Sequence, residues 1–466
     1  MARNQKKTAA PSVSVPRILR PFQEFARLEA SGGILLLICT VVALVWANSA
    51  WGESYQRLWQ VPLTVGVGEA VIRMPLLLWI NDALMAIFFF VVGLEIKREI
   101  LVGELASPPR AALPIAGALG GVLVPAMLYT LLNAGTAGAP GWGVPMATDI
   151  AFVIGVMTVL GSRVPPGLRV FLTALAIVDD LVAVLVIALF YTDDISWISL
   201  GWGAGLLVLL VAANRAGIRR PVVYAILGAG LWLAFLKSGV HPTVAGVLLA
   251  ATVPSAPRIN PREFLAESRS ILGEFEKARA VDEPLTASEE RQSAVRALEA
   301  SCEAVETPLQ RLEHGLHPWV TYLIMPVFAL ANAGLVLQGE LAQELGNRIA
   351  LGVILGLVIG KPLGITLFSW LAVRSRLAEL PEGVGWKRLH AAGWLGGIGF
   401  TMSLFIAGLA FGEGDLLNSA KLGVLISSLL AAAIGAALLA TTKTVRAESE
   451  ASTSRGSRST AADRAE

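Results

Sequence analysis

Charged residues are scarce in this chain. They make up 15% of its residues, against roughly 25% in soluble domains, while 55% of the residues are hydrophobic and the mean hydropathy is +0.66. This balance excludes an ordinary soluble domain. Because several apolar runs of about 20 residues are long enough to cross a bilayer, the sequence predicts a polytopic membrane protein.

Cysteines are equally few. Cys39 lies in the first apolar run and Cys302 in a polar loop, so we expect neither a disulfide nor a metal site from them. No nucleotide-binding loop is present, which makes an ion gradient the expected energy source, and we expect no cofactor and no enzymatic activity. The net charge of +2 indicates no nucleic-acid partner.

The start of the chain shows no signal-peptide pattern. Residues 1–15 are polar and rich in Lys and Arg, without the short apolar core and small-residue cleavage site of a signal peptide. We therefore expect the first apolar run to be a retained span.

About twelve candidate transmembrane helices follow from the apolar runs, of which the seventh and eighth are short. Alternate short loops carry most of the basic residues, and by the positive-inside rule both termini should be cytoplasmic. These basic residues are Lys97, Arg98 and Arg110, then Arg163 and Arg169, then Arg215, Arg219 and Arg220, then Arg374, Arg376, Lys387 and Arg388.

The spans divide the chain into five segments. We expect a cytoplasmic N-terminal segment (1–29), spans one to eight (30–253), a cytoplasmic helical loop (254–317), spans nine to twelve (318–442) and a disordered cytoplasmic tail (443–466). Near residues 61–74, the alternation of Leu63, Val65 and Val67 before a turn at Gly68-Glu69 predicts an outer β-hairpin.

The loop 254–317 is long and charged. Thr286 and Glu289 predict a capping box there, and apolar residues recur at helical spacing after it. They are Val295, Leu298, Cys302, Val305 and Leu309. We expect a helical hairpin that shields its own apolar stripe, with a partner-binding element as the alternative.

Ionisable residues interrupt the predicted spans. Asp179 and Asp180 stand side by side in an otherwise uncharged run from 170 to 191. A charge at the centre of a span costs about 3 kcal/mol on insertion scales, so such residues indicate function. Asp149, Asp82 and Lys361 interrupt three other runs, and together these residues predict an ion path.

Two spans carry helix-breaking residues at corresponding places. Span four contains Pro145 shortly before Thr148 and Asp149, and span eleven contains four glycines, ending at Gly399, just before Thr401. Freed backbone at membrane depth is tolerated only where it faces protein or water. Because each is the second span of its group, three to five and ten to twelve, the pattern predicts an inverted-topology repeat whose two broken helices cross near the midplane. Glycine-mediated close packing is the alternative.

Six strings in these spans resemble the bacterial NhaA-type sodium/proton antiporters. They are Trp79-Ile80-Asn81-Asp82-Ala83-Leu84-Met85, Val92-Gly93-Leu94-Glu95-Ile96-Lys97-Arg98-Glu99, Ala147-Thr148-Asp149-Ile150-Ala151-Phe152, Ala176-Ile177-Val178-Asp179-Asp180-Leu181, Gly360-Lys361-Pro362-Leu363-Gly364 and Gly397-Ile398-Gly399-Phe400-Thr401-Met402-Ser403. The resemblance covers residues from about 30 to 440 and departs mainly in the loop 254–317, which looks longer than usual.

The resemblance implies an all-α polytopic membrane protein of the bacterial inner membrane that exchanges Na⁺ or Li⁺ for H⁺ and regulates sodium and pH. It implies that Asp180 is the central ion and proton carrier, that Asp149 assists it, and that Asp179 beside it is important. It also implies a pH-sensing network, made of Glu95, Arg98, Glu99, His241, Glu313, His314 and His317. The outer hairpin adds strands across a two-fold axis in similar proteins, which favours a homodimer in membrane lipid.

The charges themselves suggest how exchange works. If Asp149 and Asp180 share a water-filled cavity, burial and like charge both favour their protonated forms. A proton and a sodium or lithium ion then compete for the same oxygens, and Thr148 with unwound backbone can complete the ion's shell. If one sodium displaces more than one proton, the exchange is electrogenic.

Several roles stay open at this stage. Adjacent helix positions point about 100° apart, so Asp179 and Asp180 cannot both face the cavity, and Asp179 pairs with a cation, caps backbone or assists transport. Lys361 is a fixed positive charge or a proton carrier. Asp82 serves packing or transport, and Gly399 supports the second broken helix.

The pH-sensing set has a competing interpretation. Charges at helix ends commonly serve orientation and snorkelling, whereas sensing predicts activity that is low in acid and rises with pH. Two other classes compete for the whole protein. A cation channel predicts flux without counter-transport, and an intramembrane aspartyl protease is disfavoured because the residues before Asp179 lack the glycines of a GxGD motif.

Overall fold

The computed structural model describes residues 16–68, 70–192, 194–257, 259–277, 289–336 and 345–442, with the side chains of 16–30 left out. The polar start (1–15), the expected disordered tail (443–466) and Thr286 of the expected capping box lie outside these residues. Helices account for most of the described chain. They are α1 (Pro16–Ala47), α2 (Gly52–Gln60), α3 (Leu76–Val102), α4 (Pro108–Asn133), α5 (Ile150–Leu160), α6 (Pro166–Phe190), α7 (Trp197–Arg215), α8 (Pro221–Leu236), α9 (Thr243–Thr252), α10 (Pro261–Lys277), α11 (Glu289–Val305), α12 (Pro308–Trp319), α13 (Met325–Asn332), α14 (Arg348–Arg374), α15 (Trp386–Gly396), α16 (Phe400–Phe411) and α17 (Asp415–Thr441).

Short stretches of tighter or wider helix supplement these elements. Among the described residues, three 3₁₀ segments are Glu104–Ala106, Ala139–Met146 and Gly161–Arg163, and three π-helical segments are Trp79–Leu84, Val320–Ile324 and Leu355–Gly360. The first π segment surrounds Asp82 and the last ends directly before Lys361, in keeping with the frequent placement of π-bulges at functional sites.

The helices differ in whether they are long and apolar enough to cross a membrane. Among the described residues, seven helices are long and apolar enough to span a membrane, or up to nine if each of two bent pairs is one span. The three other predicted spans correspond to α8, α9 and the stretch 318–332. The first two are short, with 16 and 10 residues, and the third is interrupted by a π segment.

Close backbone approach holds the centre of the bundle together. A Cβ on Gly120 of α4 would overlap the carbonyl oxygen of Gly364 on α14, and a Cβ on Gly364 would overlap that of Gly120. Small residues at such crossings let helices pack by van der Waals contact in lipid. This contact places α14, and with it Lys361, against the interior of the protein.

The two strands β1 (Pro62–Val67) and β2 (Ala70–Pro75) form an antiparallel hairpin, with Pro62 opposite Pro75 and Val67 opposite Ala70. Leu63, Val65 and Val71 are about half exposed. The hairpin follows α2, which lies at 113° to the preceding part of α1.

The described part of the loop between α9 and α12 contains two helices, with α10 packed against α11 and Ser301 Oγ donating to Glu267 Oε2 at 3.1 Å. The spacing of apolar residues up to Leu309 does not continue through one helix, because α11 ends at Val305. A capping box at Thr307 and Gln310 starts α12 instead, and Leu309 belongs to the same buried hydrophobic cluster as Leu94 of α3.

Candidate ion-binding site

Two helix breaks meet at the centre of the protein. The first break (residues 147–149) separates the 3₁₀ segment Ala139–Met146 from α5, and the second break (residues 397–399) separates α15 from α16 with a bend of 45°. The Asp149 N–H donates to the Ile398 carbonyl at 2.6 Å, and Thr148 Oγ1 donates to the Gly396 carbonyl at 2.9 Å. The prediction that spans four and eleven are broken helices is confirmed.

Asp149 sits where two helix N-termini converge. Its Oδ1 accepts the Phe152 N–H at 3.2 Å and caps α5. Its Oδ2 accepts the Thr401 N–H at 3.0 Å, at the start of α16, and also the Thr401 hydroxyl. Both N-termini carry partial positive charge, and all three bonds favour the ionised carboxylate.

Gly399 permits this approach. A Cβ at this position would overlap Ser403 Oγ and lie 3.1 Å from the Ala147 carbonyl oxygen. Ser403 Oγ in turn donates to the Val144 carbonyl at 2.7 Å. The backbone of the second break therefore packs directly against the backbone of the first. A side chain at Gly399 would push the two breaks apart.

Asp179 and Asp180 face different surroundings although they are neighbours on α6. Asp179 Oδ2 lies 2.7 Å from Lys361 Nζ, and both side chains are buried. Lys361 Nζ also donates to the Met146 carbonyl, beside the first break. Asp180 instead lines a cavity. This is the separation that about 100° between adjacent helix positions predicts.

Asp180 is buried, with 3% of its surface exposed. Its Oδ1 has no hydrogen-bond partner among the described residues. An unpaired carboxylate oxygen away from water is costly unless it is protonated or binds a cation. Asp180 is therefore placed to hold a proton or to bind a metal ion.

The cavity joins Asp180 to Asp149. It has a volume of about 70 Å³, enough for a few water molecules or a partly hydrated small cation. Its wall includes apolar side chains such as Phe88 and Met325 and a set of polar ones. The polar set comprises Glu95, Thr148, Asp149, Asp180, Glu313, His317, Thr321 and Thr401.

Part of the expected pH-sensing set also contacts this cavity. Glu95, Glu313 and His317 lie on its wall, although the sequence had placed Glu95 only among the charges at the end of its span. Arg98 Nε lies 3.1 Å from Glu313 Oε1, and Arg98 Nη2 lies 3.3 Å from Glu99 Oε1. We call Arg98, Glu99 and Glu313 the Arg98 cluster.

Burial shapes the titration of the α12 side chains. It raises the pKa of the Glu313 carboxyl, and the Arg98 guanidinium opposes this rise. Burial lowers the pKa of the His317 imidazole, and His314 lowers it further. His314 itself is exposed and contacts Glu306 at 3.4 Å.

His241 lies elsewhere. Its Nε2 is 3.5 Å from Asp82 Oδ1, its Nδ1 is 2.8 Å from Thr243 Oγ1, and its ring packs edge-on against Phe405 at 5.3 Å. Asp82 also accepts the Trp232 indole N–H through its backbone carbonyl at 3.0 Å. The structure therefore pairs two residues that the sequence had assigned to different tasks, and it separates both from the Arg98 cluster.

A sequence profile described as Na⁺/H⁺ antiporter 1 matches residues 23–439. The chain belongs to this family. It is 51% identical over 431 residues to the Na(+)/H(+) antiporter NhaA of Koribacter versatilis, which covers 92% of this chain and 93% of that protein.

Two further relatives give the same result. The chain is 52% identical over 423 residues to the Na(+)/H(+) antiporter NhaA of Oleidesulfovibrio alaskensis, covering 91% of this chain and 94% of that one. It is 47% identical over 453 residues to the Na(+)/H(+) antiporter NhaA 2 of Sorangium cellulosum, covering 94% of each. The prediction of a multi-pass sodium/proton antiporter is confirmed.

The sequence reasoning missed one residue of the site. Thr401 belongs to a string that carried the family resemblance, but it was not assigned a role, although it donates twice to Asp149. The available signal was its position, directly after the second break and next to the start of a helix, where a hydroxyl can reach an acid on the facing break.

Proposed function

We propose that the protein is an electrogenic antiporter that exchanges Na⁺ or Li⁺ for protons at Asp149 and Asp180. The observation that supports this most directly is the bare Oδ1 of Asp180, buried on the same cavity as Asp149. The proposal includes twelve spans arranged as an inverted repeat, since the two breaks fall in the second helix of each group of three. It also places the protein in the bacterial inner membrane with both termini cytoplasmic, from the basic loops.

Oxygen atoms on the cavity wall suit a small hard cation. A carboxylate offers about four lone-pair positions, and three donors already approach Asp149, which leaves about one for an ion. Thr148 uses its hydroxyl proton on Gly396, so its oxygen lone pairs remain for a cation. Asp180 supplies the uncommitted Oδ1.

Competition for these oxygens links the two fluxes. A sodium ion approaching Asp180 displaces its proton, because both need the same lone pairs, and a returning proton displaces the ion. When both Asp149 and Asp180 release protons as one Na⁺ binds, each cycle moves one net charge. Each elementary charge is worth about 2.3 kcal/mol per 100 mV of membrane potential, so the potential can drive the cycle.

Lys361 acts as a fixed positive charge in this mechanism. Its ammonium contacts both Asp179 and the Met146 carbonyl, which commits two of its three N–H donors. It thereby ties α14 to the first break and to α6 at once. This geometry supports the structural interpretation of Lys361 over the proton-carrier one.

Regulation by pH belongs to the same proposal. Glu313 and His317 line the cavity that reaches Asp180, and Glu313 also contacts Arg98. Protonation of Glu313 weakens its attraction to Arg98 and changes the charge along the route to the site. Activity should accordingly be low in acid and rise with pH.

A homodimer completes the proposal. The half-exposed Leu63, Val65 and Val71 lie on the hairpin, whose strand edges can pair with those of a second copy. The surrounding apolar helices are in contact with lipid.

Transport by purified protein in proteoliposomes tests the site. Asp149→Asn and Asp180→Asn should each abolish sodium-dependent proton flux, whereas Asp194→Asn, which removes an exposed carboxylate, should leave it intact. Isothermal titration in buffers of different ionisation enthalpy should show proton release on Na⁺ binding. Normal exchange by both site variants would refute the assignment, and Na⁺ flux without counter-moving protons would favour a channel.

A further inference from the structure

The first turn of α16 has no cap from its own segment. α16 begins directly after Gly399, which has no side chain to accept a hydrogen bond from the helix N–H groups. The first N–H groups of a helix have no partner within the helix, and a buried N–H without a partner is costly. A Cβ on Gly399 would overlap Ser403 Oγ and approach the Ala147 carbonyl oxygen, so a capping side chain does not fit there. Partners for this turn must therefore come from other elements.

Two other elements supply these partners. The Phe400 N–H donates to Ser428 Oγ on α17 at 3.1 Å. The Thr401 N–H donates to Asp149 Oδ2, at the first break, at 3.0 Å. α5 differs, because Asp149 directly precedes that helix and caps it through the Phe152 N–H. The start of α16 is thus held from two sides, by the first break and by α17.

α17 lies against the second break at a further point. A Cβ on Gly397 would lie 3.3 Å from the Cβ of Ala431, which is three positions after Ser428 on the same helix. Ser428 is 7% exposed and Phe400 is 4% exposed, so their hydrogen bond is made away from bulk solvent. α17 therefore contacts both the second break and the first residue of α16.

We propose that Ser428 is a positioning residue for the antiport reaction, whose hydroxyl oxygen fixes the first turn of α16 so that Thr401 stays on the wall of the ion cavity and in contact with Asp149. This inference rests on the proposed function of Asp149 and Asp180. Ser428 is not on the cavity wall and acts through Phe400, which directly precedes Thr401. The inference gives α17 a role in the affinity for the transported ion.

Two adjacent serines on α17 make different contacts. Ser427 Oγ donates to the Val424 carbonyl of its own helix at 3.0 Å, whereas Ser428 Oγ accepts from α16. Both side chains are buried, with 0% and 7% of their surfaces exposed. An alanine at either position removes one hydroxyl from the same helix, but only Ser428→Ala leaves the Phe400 N–H without its acceptor. A difference between the two variants therefore reports the contact with α16.

Loss of this acceptor should weaken Na⁺ binding more than it slows transport. The Phe400 N–H is then left unpaired in a buried place, and the first turn of α16 moves to find another partner. Thr401 moves with it and holds Asp149 less firmly, and a site built from preorganised ligands loses affinity when the ligands are loosely held. Every oxygen and every charge of the site is still present, so the rate at saturating Na⁺ should change little.

The experiment measures Na⁺-dependent proton flux in proteoliposomes at one fixed pH, and Na⁺ binding by isothermal titration, for wild type, Ser428→Ala, Ser428→Thr and Ser427→Ala. Ser428→Ala should raise the apparent KM for Na⁺ and its Kd about tenfold, with kcat within about twofold of wild type. Ser428→Thr keeps a hydroxyl oxygen at this position and should return both constants toward wild type. Ser427→Ala is the matched control and should leave them unchanged.

A role in folding alone predicts a different result. Ser428→Ala would then give less folded protein, with a lower maximal flux and an unchanged KM, and this outcome would overturn the inference. An equal rise in KM from Ser427→Ala would also overturn it, as would a Ser428→Thr protein that binds Na⁺ as weakly as Ser428→Ala. If Asp149→Asn and Asp180→Asn exchange normally, the proposed function fails; if they are inactive and Ser428→Ala keeps the KM of wild type, only the present inference fails.

Discussion

Lys361 Nζ lies 2.7 Å from Asp179 Oδ2, and the two side chains are 0% and 1% exposed. The pair links α14 to α6. Lys361 also donates to the Met146 carbonyl, so the same side chain links both helices to the first break. Because Asp179 is held by this pair, its neighbour Asp180 is left to face the cavity. A contact outside the ion site thus determines which acid serves it.

Removing either partner of the Lys361–Asp179 pair should destabilise the protein. Lys361→Met leaves Asp179 as a lone buried charge, and Asp179→Leu leaves Lys361 alone, so each should destabilise the protein by about 3–5 kcal/mol. The double variant removes both charges and should recover most of that loss. Thermal unfolding in detergent measures the cycle, with Lys237→Met at an exposed helix end as control. If the double variant loses as much as the two single losses combined, the side chains are not coupled.

The crossing of the two breaks should not tolerate a methyl group at Gly399. Gly399→Ala places a Cβ onto Ser403 Oγ and against the Ala147 carbonyl, and such overpacking costs about 1–3 kcal/mol. Since the contacts of Asp149 cross this junction, the affinity for Na⁺ should fall as well. Gly408→Ala on the same helix meets no atom within 4 Å and should behave as wild type. Equal melting temperatures and Na⁺ titrations for the two variants would contradict this explanation.

Local patterns in the sequence predicted those parts of the site that are energetically unfavourable in an ordinary membrane helix. A charge in an apolar run and glycine or proline within a span are each visible in a short stretch of sequence, so Asp149, Asp180 and Lys361 could be named as candidates and both breaks could be predicted. The strong family resemblance then supplied their grouping. Such signals mark where a chain departs from an ordinary membrane helix.

Features that depend on packing were not predictable in the same way. Thr401 contacts Asp149 across 252 positions, and its place directly after the second break was the one local signal for this contact. Glu95 lines the cavity together with residues of α12, and this packing of α3 against α12 is not visible in a list of charges at span ends. The apolar spacing from Val295 to Leu309 suggested one continuous stripe, but the capping box at Thr307 begins a new helix within it.

The Arg98 cluster should set part of the pH profile. The Arg98 guanidinium opposes the burial that raises the pKa of Glu313, so Arg98→Gln should raise that pKa further and delay deprotonation to higher pH. Activation should then move to the alkaline side. The shift should be well under about one unit, because Arg98 is about one-third exposed and solvent screens the pair. Arg57→Gln, in an exposed pair with Glu53, is the control, and an acid-side shift in Arg98→Gln would contradict the assignment.

His317 should make the protein less stable in acid. Burial lowers the pKa of its imidazole in the folded protein below the ordinary value of 6.5, so the unfolded chain binds the proton more readily. Stability is then fully present above pH 6.5 and is lost as the pH falls through and below that value. His317→Gln has no such group, and its melting temperature should fall less than that of wild type between pH 8 and pH 5. The comparison at pH 8 serves as the control, since the imidazole is neutral there in both states and any difference reports only packing. If the two proteins lose stability in parallel as the pH drops, the imidazole is not the group responsible.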